Sequence, residues 1–369
     1  MSAQDYDELP MRPGELSCVC GPAGDIEGAL DVHDLWRLAA GFGLAVLAQA
    51  LVLSALPETS SLIAPTPSSL GWPYALLLIG AALASLPAAF LIDAFGRRSA
   101  FALGSSLGVA GGLLAAWGAS HGNFPALCLG AFWLGLAQGF SLFYRHIAAR
   151  GSAMATRAGL LVLAGGAAAA GGAPAIIGLG LLLGDGVGSL LIGAALMHVA
   201  ALWLSSRLPH AVTPLSAEKR PGIGLSPRFF VATLAGSIAW FIMAGGMLHG
   251  PLTLSLCSAS RGFIGAAMAW HLLAMYGPAA LAARWPSLLS PLAGIGGGLA
   301  VMLIAAMVLH AGASAASVAA ALIAIAVGWS LANIGAMKLL HDEGRPPRAA
   351  LALHDLCLLS AAAAGALAF

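Results

Sequence analysis

The sequence predicts an all-α protein that crosses a membrane many times, arranged as two helical bundles. Three observations predict it. The chain is 60% hydrophobic and only 8% charged, with a mean hydropathy of +0.91. Several apolar segments exceed the roughly 20 residues needed to span a bilayer. With the amino terminus in the cytoplasm, all of the 16 Lys and Arg residues except Arg261 fall in cytoplasmic segments or at cytoplasmic helix ends. That is the bias expected of loops that stay inside. The 48 glycines point to helices in close contact through small residues. A net charge of +1 says nothing about nucleic acid, and no basic patch interleaved with aromatics appears, so no nucleic-acid partner is expected. No Ser/His/Asp, Cys/His or phosphate-loop constellation appears at useful spacing, so the protein is not expected to be an enzyme.

Taken in order, residues 1–34 are polar and acidic, with Asp5, Asp7, Glu8, Glu15, Asp25, Glu27, Asp31 and Asp34. They lack the basic start and early apolar core of a signal peptide and read as a cytoplasmic tail. Within it, Cys18 and Cys20 could hold a soft metal, or be two cysteines of a solvated tail. Spans are predicted at about 35–56, 70–92, 99–120, 124–144, 158–183 and 187–206, a first bundle over 35–206. Residues 207–226, with Arg207, Pro209, Pro214, Glu218, Lys219, Arg220 and Pro221, form a cytoplasmic linker. The second bundle, 227–369, holds two spans between Pro227 and Arg284, then 288–309, 315–337 and 349–369. That makes eleven spans where two equal halves need twelve.

The most unusual chemistry lies between Pro227 and Arg284. Met243 and Met247 are spaced M-x-x-x-M on one span, and His271 and Met275 are spaced H-x-x-x-M on the next. A spacing of four puts each pair on one helical face. Thioethers and imidazole are the ligands that select Cu(I). At 1.5 Å per residue, Met243 lies about 22 Å above the cytoplasmic start of its span, and His271 about 15 Å below the outer surface. The expected order from outside to inside is Met247, Met243, His271, Met275. The bland reading is that methionine fills apolar helices and histidine can be a satisfied core residue. Cys257, after the first of these spans, is either a small buried residue or a second metal or redox site. His354 and Asp355, near the start of the last span, are candidate proton carriers, with capping or packing as the equal alternative.

The turn after the second span carries a resemblance. Asp93-x-x-Gly96-Arg97-Arg98 resembles the loop signature G-x-x-x-D-R/K-x-G-R/K-R/K of the major facilitator superfamily, with Ala89 and Ala94 departing from it. The resemblance implies a fold of two helical bundles and twelve spans, and a cytoplasmic gate in which Asp93, Gly96, Arg97 and Arg98 take part. The Met243/Met247 and His271/Met275 pairs resemble the CcoA-type copper importers of bacterial inner membranes. In that group these motifs bind the transported copper, which serves assembly of cbb3-type cytochrome c oxidase. The resemblance implies a multi-pass protein in membrane lipid, with copper as its substrate and a cytoplasmic copper chaperone or export ATPase as receiver. Two other readings stay open: a facilitator moving an organic solute or drug, and a membrane assembly factor that transports nothing.

Overall fold

The computed structural model describes residues 30–150, 155–183, 187–209, 226–312, 314–342 and 346–368. Residues 1–29 of the acidic tail, with Cys18 and Cys20, and residues 210–225 of the linker lie outside the described residues. The tail expected to run to Asp34 gives way to helix at Val32, because Asp31 caps that helix by accepting from the Asp34 amide. The helices are α1 (Val32–Ile63), α2 (Trp72–Ser120), α3 (Phe124–Arg150), α4 (Ala155–Leu183), α5 (Val187–Ser205), α6 (Pro227–Leu256), α7 (Arg261–Arg284), α8 (Pro291–Ala311), α9 (Ala315–His341) and α10 (Arg348–Ala368). All are long and apolar enough to cross a membrane, and no strand occurs among the described residues. This is a multi-pass membrane protein.

Serines write the start of four helices in the second half. The hydroxyls of Ser226, Ser260, Ser290 and Ser314 accept from the third backbone amide of α6, α7, α8 and α9, satisfying donors that the first helical turn leaves free. Pro227 and Pro291 follow two of them, at the helical position where a missing N–H costs nothing.

The 49-residue α2 is two spans, not one. Straight, it would run about 74 Å, more than twice the hydrocarbon thickness of about 30 Å. It doubles back at Gly96, where φ is 80° and ψ is 161°. Only glycine takes this conformation readily. Both legs then lie on α3. On the first leg Leu77 meets Gly135 and Ala81 meets Gly139, so the pair is parallel. On the second, Gly111 meets Leu134 and Gly118 meets Leu127, so the pair is antiparallel. The seam is backbone against backbone: a Cβ added to Gly135 would sit 1.9 Å from the carbonyl oxygen of Leu77. Among the described residues, ten helices, one of them doubled, make the eleven spans read from the sequence.

Helices α1–α5 pack as one half and α6–α10 as the other. They meet chiefly where α10 lies on α2 and where α7 lies on α4. Within the second half, α9 sits between α6 and α7 and packs on both, whereas α6 and α7 barely meet. The bend at Gly96, the end of α3, the end of α9 and the start of α10 all lie at one end of the molecule, called here the basic end.

Candidate functional site

About half-way along the helices, four aromatic rings run in edge-to-face contact from one half into the other. Trp240 of α6 meets Trp329 of α9 with ring centroids 5.1 Å apart. Trp329 meets Tyr276 of α7 at 6.0 Å, and Tyr276 meets Phe42 of α1 at 5.8 Å, crossing the boundary between halves. Tyr276 is admitted by Gly166 of α4, where a Cβ would sit 2.8 Å from its ring. Counted from Val32 and Pro227, Phe42 and Trp240 lie about 15 Å and 20 Å along their helices. Trp240 Nε1 donates to Asn333 Oδ1 at 3.3 Å, and Asn333 Nδ2 donates to the Trp329 carbonyl at 2.8 Å. Trp329 Nε1 and Ser330 Oγ are buried with no hydrogen-bond partner among the described residues. Natural interiors rarely leave such groups unmatched.

Two of the four candidate ligands join this core. Met243, one turn beyond Trp240, is 1% exposed, and Met275, beside Tyr276, is 3% exposed. Met247 is half-buried, and its Sδ lies 4.0 Å from the Tyr74 hydroxyl of α2, in the other half. His271 is completely buried, and its Nδ1 is 2.8 Å from the Leu322 carbonyl of α9. Its Nε2 has no partner among the described residues.

The expected depth order is corrected. Leu322, which bonds His271, also packs against Gly250 of α6, one turn beyond Met247. His271 is therefore farthest from the basic end, followed by Met247, with Met243 and Met275 near the level of Trp329. Depths counted from two helix ends agree only if those ends are level, and the outer ends of α6 and α7 are not. The two helices are also not neighbours through this depth, because α9 stands between them.

At the basic end the halves are tied by polar groups. Asp93 pairs with Arg348 of α10. Arg97 Nε is 3.4 Å from the Pro209 carbonyl, and Arg98 is exposed. Deeper in, Arg145 Nη2 of α3 lies 2.5 Å from Asp355 Oδ1 of α10, with both side chains nearly inaccessible. His146 Nε2 is 3.3 Å from Asp355 Oδ2, and His146 Nδ1 is 3.2 Å from His341 Nε2 of α9. Arg150 donates to the Pro346 carbonyl, and Thr156 Oγ1 lies 2.5 Å from Asp342 Oδ1. His354 bonds within its own half, its Nδ1 2.9 Å from Thr233 Oγ1. Cys257 caps α6, with Sγ 3.7 Å from the Gly312 carbonyl.

Arg145, His146 and His341 are absent from the residues singled out in the sequence. The span predicted to end at Tyr144 continues to Arg150, because its charged end is buried by partners from the other half. The signal available was an Arg-His pair closing an apolar run, facing a second such pair, His354-Asp355, in the last span.

The same architecture occurs in solved transporters. The proton:xylose symporter XylE, of the major facilitator superfamily, superimposes with a TM-score of 0.68 over 90% of this chain and 87% of its own, at 15% identity. This chain has the major facilitator fold. The human organic anion transporter MFSD10 matches with a TM-score of 0.67 over 93% and 92% of the two chains, at 16% identity. A bacterial homologue of the iron transporter ferroportin gives 0.63 over 90% and 91%, at 17% identity. Residues 43–180 match the family model described as "Sugar (and other) transporter". A riboflavin transporter, RfnT of Brucella anthropi, is 27% identical over 321 residues, covering 81% of this chain and 80% of that protein.

Proposed function

We propose that this major facilitator protein is an alternating-access carrier of a planar organic solute. Its basic end faces the cytoplasm of a bacterial inner membrane. The observation that carries the reading is the ring chain Phe42–Tyr276–Trp329–Trp240, which joins both halves near mid-depth. In this fold class the substrate lies near the midplane, between halves that rock about it. Aromatic rings in contact contribute about 0.5–1.5 kcal/mol beyond the area they bury. When the halves part, Phe42 leaves Tyr276, and a flat ring inserted between them restores an aromatic contact to each. Trp329 Nε1 supplies a donor for a carbonyl or ring nitrogen. The Brucella relative is a riboflavin transporter, and the flat flavin ring fits this chemistry. The test is uptake of radiolabelled riboflavin by proteoliposomes, with and without the protein. Uptake no greater than that of protein-free liposomes would reject the flavin class.

A second reading is import of Cu(I), which would supply cbb3-type oxidase assembly through a cytoplasmic copper chaperone or export ATPase. It is favoured by Met243 and Met275 lying buried in one core, and by the unmatched Nε2 of His271 one turn away. Neutral ligands suit a site that must release its cargo. Copper uptake by the same proteoliposomes decides between the two.

A further inference from the structure

The histidine pair at the basic end has no place in either account of the cargo. His146 and His341 belong to different halves, are 1% and 3% exposed, and touch through their ring nitrogens at 3.2 Å. Such a contact holds one hydrogen: one ring donates and the other accepts.

The surroundings of His146 provide for two protonation states. Its Nε2 stands 3.3 Å from Arg145 Nε, which donates to an unprotonated nitrogen. The same Nε2 stands 3.3 Å from Asp355 Oδ2, a buried oxygen with no well-aligned hydrogen bond among the described residues. A protonated Nε2 donates there. In either state the His146 Nδ1–H still donates to His341 Nε2, so one added proton leaves the halves tied. A second proton, on His341 Nε2, has no such provision. It turns the acceptor into a donor and sets two like charges against each other across the contact.

The other charged groups around the pair are already engaged. From α3, Arg145 is held by Asp355 and Arg150 by the Pro346 carbonyl. From α10, His354 is held by Thr233 and Arg348 by Asp93. On α9, Lys338 donates to the carbonyls of Pro286 and Leu289, and Asp342 accepts from Thr156 of α4. Asp355 is the only carboxylate in contact with the pair among the described residues, and one carboxylate cannot balance Arg145 and two imidazolium rings.

We propose that His146 and His341 form a proton-binding site, and that capture of the second proton parts the two halves at the basic end. The proposal needs only the two-half fold and not the identity of the cargo. It assigns proton coupling to this pair, with Asp355 as its anchor and His354 outside it.

The test reads the opening directly, without substrate. Spin labels are placed on exposed positions of the two halves, Ser99→Cys on α2 and Ala349→Cys on α10, in full-length protein whose five native cysteines are replaced by alanine. Distances are measured by electron–electron resonance in lipid nanodiscs between pH 8 and 5.5. The ratio of long to short separations should rise as pH falls, by up to about ten-fold per pH unit for each coupled proton. His341→Gln, which still accepts from His146 but takes up no proton, should remove the response, and His354→Gln should keep it. A separation that does not change with pH in the unsubstituted site overturns the proposal, whatever the variants do. So does a response that survives in a monodisperse His341→Gln protein. Loss of riboflavin or copper uptake bears on the cargo and leaves this result untouched.

Discussion

Trp329 separates stacking from hydrogen bonding at the proposed site. Trp329→Phe keeps a ring against Trp240 and Tyr276 but removes the unmatched N–H. If that N–H meets the solute, the half-saturating riboflavin concentration rises by roughly five-fold, the value of a hydrogen bond of about 1 kcal/mol. If it does not, removal of the unmatched buried donor leaves uptake unchanged. The methionines are tested in the same way. Met→Leu conserves volume and costs less than ~1.5 kcal/mol in packing, so the Met243→Leu/Met247→Leu double variant should fold. Normal copper uptake by that variant would end the copper reading, and normal riboflavin uptake is expected of it. At this scale the sequence shows which side chains are chemically unusual, Met243, Met247, His271 and Met275 among them. It does not show their depths, because α6 and α7 end at different levels and α9 comes between them. The Trp329 N–H becomes conspicuous only when its neighbours are known.

Among the elements, α2 depends most on one position. Gly96 holds a φ of 80° and a ψ of 161°, which cost a residue with a side chain on the order of 1–3 kcal/mol. Gly96→Ala should therefore lower the melting temperature and the yield of folded protein, read by size exclusion and a thermal shift. Uptake per folded molecule should change little. Wild-type yield and melting would mean that the bend is set elsewhere. The bend was legible beforehand, since a short charged turn stood between two apolar runs. The end of α3 was not. Arg145 and His146 look like a helix leaving the membrane, and the partner that keeps them inside is Asp355, 210 positions away. Ion pairs between distant segments leave no periodicity to read, whereas serine caps and apolar length do.

For the whole molecule, the two Arg–Asp pairs that tie the halves at the basic end differ in exposure. The Asp93 side chain is 46% exposed where it meets Arg348, itself 8% exposed, so water reaches one side of that pair, whereas Arg145 and Asp355 are 5% and 1% exposed. An exposed ion pair contributes about 0–1 kcal/mol, but removing one partner of a buried pair strands a charge at a cost of about 3–5 kcal/mol. Asp93→Asn should then slow turnover of riboflavin no more than a few-fold, about the factor that 1 kcal/mol gives, while leaving its binding intact. Asp355→Asn should abolish turnover or folding. Equal effects, with uptake measured at matched protein levels, would contradict this ranking. The ranking also bears on leakage. A charged membrane is a capacitor, and any pore that opens at the wrong moment discharges it. Swings in salt concentration screen the Asp93–Arg348 pair, which water already reaches, yet barely touch the pair beneath it. The outer tie can break and re-form as ionic strength drifts while the inner one keeps the seal, so the membrane holds its voltage between turnovers.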